Sequence, residues 1–247
     1  MSEVRGKWSD CFGLIGDKST QVYVLMCFCS FADVMASVKL IPKPKEPLLL
    51  PKPGGDGCVH CAVVGTAGIL NGSKVGAEID AHDYVFRMNG AVTKGYEEDV
   101  GNRTSVYVHT QHSITASRYI FGKYGYKSAP HDEGIKYVLI PEAMRDFQWL
   151  EGLFKGNESF SGPHHKKCKD FFLSLFLYPQ VDAYGFMTDD YMKYSNYYVQ
   201  KYIKTRVIFY ANHDYKLEKN TWKDLHNRKI IKLYQRTEPE SGTEKPK

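Results

Sequence analysis

The sequence predicts one Rossmann-like α/β domain, a mostly parallel sheet flanked by helices, and three observations predict it. Ala62-Val-Val64 is a continuous apolar run, as expected of a strand covered on both faces. A glycine-rich turn, Gly65-Thr-Ala-Gly68, follows it and leads through a short helix to a second strand ending on Asn89. Further apolar or alternating runs come later, at Ser105 to His109 and Ile135 to Ile140, spaced as in a βα succession. A chain of 247 residues suits one such domain with a sizeable core.

The elements follow in order. Residues 1–41 form an N-terminal segment whose structure the pattern leaves open. Within it Val22 to Ala32 is apolar but interrupted by Asp33, short of the roughly 20 apolar residues a bilayer needs. A buried strand or helix is expected there, not an anchor. Glu3 and Asp10 weaken the basic start that a signal peptide requires. Residues 42–57, with Pro42-Lys-Pro-Lys-Glu-Pro and Pro51-Lys-Pro-Gly-Gly, read as an extended Pro/Gly-rich linker. The domain proper spans 58–236. Past the strands already named, Pro141 opens a helix in which Met144, Phe147, Leu150 and Leu153 recur at helical spacing. Val181 to Phe186 and Arg206 to Tyr210 read as strands. A polar helix then carries Leu217, Trp222 and Leu225 on its apolar side, and Ile230 to Tyr234 closes the domain as a strand. Residues 237–247 are a polar tail.

Composition removes several classes of function. Hydrophobic residues at 43% and aromatics at 14% rule out global disorder. A net charge of +5 is spread over 33 basic and 28 acidic residues without a dense basic stripe, which argues against a nucleic-acid partner. Six cysteines are too few for a disulfide scaffold at this length, and Cys58-x-x-Cys61 lacks the second pair that a zinc site needs. Asp189-Asp190 reads as a turn rather than a metal clamp. Asn71-Gly-Ser, Asn102-Arg-Thr and Asn157-Glu-Ser are glycosylation sequons, the first two inside the most patterned part of the chain.

Chemistry concentrates on the turn. Gly65 and Gly68 allow a sharp bend that brings backbone N–H groups toward a phosphate. The Thr66 hydroxyl and Asn89 amide then share the sheet edge where open α/β folds bind nucleotides. The spacing is neither Gly-x-Gly-x-x-Gly nor a P-loop. On physics alone two readings stand: a nucleotide or nucleotide-sugar pocket, or a corner that binds nothing. His213 follows a predicted strand, Ile208 to Asn212, and precedes a helix. An imidazole there suits a general base, although a lone His in such a place is more often a capping or core residue. His82 and Asp83 fall between helix and strand as a structural turn, while Glu78 and Asp80 read as helix-surface or capping groups.

The run Cys61 to Ser73, continued through Glu78 to Gly90 and Gly90-Ala-Val-Thr-Lys-Gly-Tyr-Glu-Glu-Asp-Val-Gly-Asn-Arg-Thr-Ser105, closely resembles the large sialylmotif of animal sialyltransferases. It is most like that of the alpha-N-acetylgalactosaminide alpha-2,6-sialyltransferases. Val181-Asp-Ala-Tyr-Gly-Phe186 is similar to the end of the small sialylmotif, and His213-Asp-Tyr-Lys-Leu-Glu218 to the very small one. The resemblance covers about residues 58–155 and 181–236.

It implies the sialyltransferase variant of the GT-A fold and a Golgi setting. The implied activity is transfer of sialic acid from CMP-sialic acid to O6 of O-linked N-acetylgalactosamine on glycoproteins, inverting and metal-independent. No cofactor is implied; CMP-sialic acid is a donor substrate. His213 takes the role of base and Glu218 that of a supporting carboxylate, while Thr66 and Asn89, with Gly65 and Gly68, would hold the CMP moiety. Cys61 would bridge to a cysteine of the small motif. CMP can leave as a stabilised anion held by backbone dipoles and hydroxyls, so the chemistry does not require a metal.

The middle of the chain departs from this pattern. Between Phe154 and Val181 only a short segment remains, without the Ser/Thr-Thr-Gly start of the small motif. Tyr178 or Pro179 stands about where the bridging cysteine belongs, and Cys168 is the only nearby substitute. The third motif, His-Tyr-Tyr-Asp/Glu in the family, is here Asn196-Tyr-Tyr-Val199, without imidazole or carboxylate. A second reading therefore stands beside the first: a catalytically impaired, truncated or splice form acting as a non-enzymatic partner of full-length relatives.

Overall fold

The computed structural model describes residues 31–41, 49–50, 57–142, 144–156, 180–201 and 214–236. Among them six strands form one sheet: β1 His60–Val64, β2 Tyr84–Met88, β3 Val106–His109, β4 Lys136–Leu139, β5 Gln180–Tyr184 and β6 Lys232–Leu233. The order across the sheet is β4-β3-β2-β1-β5-β6, and each neighbouring pair is parallel. Chain order runs outward from β1 to β4 on one side and from β5 to β6 on the other. The direction of winding therefore reverses between β1 and β5, the switch point at which such sheets open a crevice beyond their carboxyl ends.

Residue type explains the two faces. Ala62, Val64, Val85, Tyr107, Tyr137 and Tyr184 lie on one face, where the register aligns them across the strands. This face packs against Ile79 of α2 (Gly76–Ala81), Val100 of the one-turn α3 (Glu97–Val100) and Phe121 of α4 (Gln111–Phe121). It also meets Trp149 and Leu150 of α5 (Met144–Lys155). Alternate residues Cys61, Phe86, Val106, Val108 and Val138 form the second face, joined by Leu49.

Local signals end the helices. Thr110 and Ser113 form a reciprocal capping box at the start of α4. The Asp214 carboxylate accepts from the Leu217 N–H at 3.0 Å and starts α6 (Tyr215–Asn227). A helix α1 (Phe31–Val38) packs on α5, with Val34 buried. Leu50 is tied to the Tyr84 phenol by both its N–H and its carbonyl, so this residue of the expected linker rests on the sheet.

Two expectations change. Leu217, expected on the apolar side of α6, is 62% exposed, and no residue of that helix is fully buried. Its apolar anchor is Trp222, whose ring lies against Phe186 with centroids 4.0 Å apart. The closing strand shrinks from 230–234 to two residues, and Ile230 is exposed. The expected strand at Arg206 to Tyr210 lies outside the described residues.

Candidate functional site

β1 ends at Val64, and the chain turns at once. The Gly65 N–H donates to the Tyr184 carbonyl (2.7 Å) and the Ala67 N–H to the Gly185 carbonyl (3.0 Å), which binds the first turn to the one after β5. A side chain at Gly65 would sit 2.5 Å from the Gly185 oxygen. One at Gly68 would sit 2.0 Å from the Ser195 carbonyl oxygen. Both glycines are therefore required by backbone-to-backbone approach. Thr66 follows the end of β1 by two residues and Asn89 follows the end of β2 directly, and because β1 and β2 are parallel neighbours both lie at the carboxyl edge of the sheet. Thr66 is half-buried beside the switch point between β1 and β5, and Asn89 is exposed one strand over, after β2.

Asn89 follows β2 with φ +49°, the left-handed region that asparagine tolerates better than most residues. Two buried phenols hold its loop. Tyr107, from β3, donates to the Asn89 carbonyl and meets the Tyr126 hydroxyl at 3.3 Å. Tyr198 donates to the Val92 carbonyl (2.6 Å) and accepts from the Val92 N–H (2.8 Å). Burial pushes the phenols of both Tyr107 and Tyr198 above their ordinary range, so they remain hydroxyl donors at neutral pH. The Tyr198 N–H donates to the Thr66 carbonyl (3.1 Å), and Ala67 pairs with Tyr197. One segment, Asn196-Tyr-Tyr-Val199, thus ties the Thr66 turn to the Asn89 loop. Sequence reading saw only what that segment had lost. Its tyrosines, and Tyr107, are the support it missed; a Tyr-Tyr pair in an otherwise degraded motif was the available signal.

Of the proposed catalytic residues, His213 lies outside the described residues. Glu218 is exposed in the first turn of α6, where a negative charge complements the helix dipole. The Phe186–Trp222 contact holds α6 to the chain leaving β5, and so to the same carboxyl edge. Lys219 and Lys223 of α6 both pair with Asp189, holding its carboxyl down to about 2. Asp190 accepts from Thr188 and Tyr194 hydroxyls.

Carboxylates near the large motif are employed locally. Asp80 accepts from the Asn102 and Arg103 N–H groups (2.8 and 3.0 Å), and Asp83 accepts from the His60 N–H (2.9 Å). Glu78 accepts from the Tyr184 phenol at 2.8 Å. Cys61 is buried in β1, opposite Val181 of β5, and burial, with the Asp83 charge, pushes its thiol up to about 11. No disulfide is formed among the described residues. Cys168 and residues 178–179 lie outside them.

An open parallel sheet with a winding reversal beside a glycine-bound turn belongs to the class of α/β proteins whose ligands bind beyond the carboxyl ends of the strands. The profile of glycosyltransferase family 29 (sialyltransferase) matches residues 15–171 and 168–230, and the chain belongs to that family. The two matched pieces meet within the stretch where the motif pattern breaks down. Alpha-N-acetylgalactosaminide alpha-2,6-sialyltransferase 1 of Gallus gallus is 37% identical over 252 residues, covering 81% of this chain and 44% of its own length. The Homo sapiens enzyme of that name is 39% identical, covering 83% and 43%. The Mus musculus type 2 enzyme is 37% identical, covering 83% and 68%. The chain thus spans under half the length of the first two relatives. A crystal structure of a mammalian sialyltransferase superposes with TM-score 0.54 at 22% identity, over 83% of this chain and 79% of that one. A second, in complex with Gal-beta-1-3GalNAc-ortho-nitrophenol, gives 0.54 at 20% identity. These two share the fold. Among the described residues no helix is long and apolar enough to cross a membrane.

Proposed function

We propose that this chain transfers sialic acid from CMP-sialic acid to O6 of O-linked N-acetylgalactosamine on glycoproteins, with inversion and without a metal, in the Golgi lumen. The observation that carries the reading is the placement of Thr66, after β1, and Asn89, after the neighbouring β2, at the carboxyl edge beside the switch point, on turns held by backbone contacts and buried phenols. In this reading the Thr66 hydroxyl, the Asn89 amide and the backbone around Gly65 and Gly68 hold the CMP moiety. His213 takes the proton from the acceptor O6 hydroxyl, and Glu218 supports it. The new C2–O6 bond forms as the bond from C2 to the phosphate oxygen breaks, and CMP departs with that electron pair. Hydrogen-bond donors fixed on the phosphate stabilise the charge as it develops, each at roughly 10²–10³ in rate.

A specific observation favours a second reading. The third motif carries Asn196 and Val199 where the family has an imidazole and a carboxylate, and Val199 is buried at 5% exposure. A neutral amide and an isopropyl group can neither buffer nor accept a proton. A donor-binding but weakly active form, associating with full-length relatives, matches that loss.

The test is incubation of the full chain with CMP-sialic acid and a peptide bearing GalNAc on serine or threonine, with and without EDTA. The first reading expects one added sialyl residue, CMP released in equal amount, no effect of EDTA, and loss of turnover in His213→Ala. CMP binding without product selects the second.

A further inference from the structure

We propose that Asn102 carries an N-linked glycan and that Asn71 does not. The proposal rests on the lumenal setting given above and adds a modification site to it. Asn102 begins the sequon Asn102-Arg-Thr104, in the loop joining α3 to β3. Its side chain is exposed. Its backbone is fixed, because the Asn102 N–H donates to Asp80 Oδ2 at 2.8 Å and the Arg103 N–H to Asp80 Oδ1 at 3.0 Å. The Arg103 guanidinium adds bonds to the carbonyls of Asp80, His82 and Asp83. A sugar on Asn102 Nδ2 therefore leaves a rigid loop toward solvent without displacing any of these contacts.

Asn71 is placed differently. Its side-chain amide is half-buried and donates to the Lys201 carbonyl at 3.4 Å, while its backbone carbonyl accepts from Arg236. The turn after it is clamped by Asp99, which accepts from the Gly72 and Lys74 N–H groups at 2.7 and 3.0 Å. A glycan there would push the Lys201 segment away from the Thr66 turn it adjoins.

Position in the sheet separates the two sites further. Asn102 precedes β3 and lies at the amino edge of the parallel sheet, a strand length of roughly 15 Å from the carboxyl edge that carries Thr66 and Asn89. A glycan on Asn102 leaves the donor site open.

The chemistry is that of any sequon. Asn102 Nδ2 attacks C1 of the first sugar of a polyprenyl-pyrophosphate-linked oligosaccharide. The C1–O bond to the pyrophosphate breaks, the electron pair leaves on the pyrophosphate, and the amide gives up one proton to the oligosaccharyltransferase. Thr104 is 4% exposed in the folded chain, so its hydroxyl is read before the loop closes.

The full chain, expressed in animal cells behind a cleavable secretory signal, is digested with and without peptide N-glycosidase, and each sequon peptide is scored for conversion of Asn to Asp. The expected result is conversion at Asn102 and none at Asn71. Asn102→Gln removes it. Thr104→Val also removes it and leaves the fold intact, because the Thr104 hydroxyl is buried without a hydrogen bond among the described residues. Both variants keep wild-type thermal stability after enzymatic deglycosylation. An unmodified Asn102 in a chain modified at Asn157 overturns the proposal, as does modification at Asn71 instead. A secreted chain with no sequon modified overturns the proposal as well, while the transfer assay above tests the sialyltransferase reading separately.

Discussion

Substituting Gly68 by alanine tests the backbone approach on which the site is built. The new Cβ would lie 2.0 Å from the Ser195 carbonyl oxygen and 2.7 Å from its carbon, where ordinary contact begins near 3.4 Å. Over an ångström must be recovered, and the obstacle is main chain. Both sides are pinned, through the Ala67–Tyr197 bridge and the Tyr198 N–H on the Thr66 carbonyl. Overpacking of this kind costs typically 1–3 kcal/mol, and a backbone obstacle argues for about 3. In a domain of this size each kcal/mol moves Tm by about 2–4 °C, so a fall of roughly 6–12 °C is expected. Gly122→Ala is the control: its φ of −56° is helical and the space beside it is open. That change should be neutral or stabilise by about 0.4–1 kcal/mol. Thermal and urea unfolding followed by near-UV circular dichroism read both. A Gly68→Ala protein within about 1 kcal/mol of the Gly122→Ala protein, still binding CMP, would refute the reasoning.

Other predictions follow from the same contacts. His109 is 1% exposed between the rings of Tyr107 and Trp149, and burial lowers its pKa from 6.5 to about 4. Between those values the unfolded chain holds a proton that the folded one does not, so stability falls as pH drops from 6.5 toward 4. The loss is on the order of 3 kcal/mol, read as falling urea midpoints at pH 7, 5.5 and 4.5; a flat series would contradict it. Tyr107→Phe removes the donor to the Asn89 carbonyl and should weaken CMP binding about 10-fold, near 1.4 kcal/mol. A Tyr107→Phe protein that binds CMP as tightly as the wild type would contradict a role for this phenol in holding the Asn89 loop. Asp80→Ala leaves the Asn102 and Arg103 N–H groups without their acceptor. It should cost about 1–3 kcal/mol in stability at unchanged CMP affinity, measured by urea titration and calorimetry.

The strands near β1 were legible because each is a short apolar run bounded by turn residues, and burial on both faces leaves such runs few alternatives. Thr66 and Asn89 were legible at one sheet edge because each follows a parallel strand, and ends of adjacent parallel strands share an edge. Asp80 was not legible. A carboxylate at a helix end looks the same in sequence whether it faces water or receives N–H groups 22 and 23 residues away. Tyr107 was hidden for a related reason: in Val106-Tyr-Val-His109 it reads as one more core aromatic, and only the bend at Asn89 aims a carbonyl at its hydroxyl. Periodicity assigned Leu217 to the buried side of α6 because Leu217 and Trp222 share an apolar pattern. The helix meets the domain at the Phe186–Trp222 contact instead, which a helical wheel does not contain.

The central claim is that the β1/β5 switch point is a working donor site. Calorimetric titration of CMP into the folded full chain and into Asn89→Ala tests it most directly. The account predicts saturable one-site binding by the wild type that is lost in the variant. A folded wild type that takes up no CMP, or a variant that binds it equally well, would contradict the account.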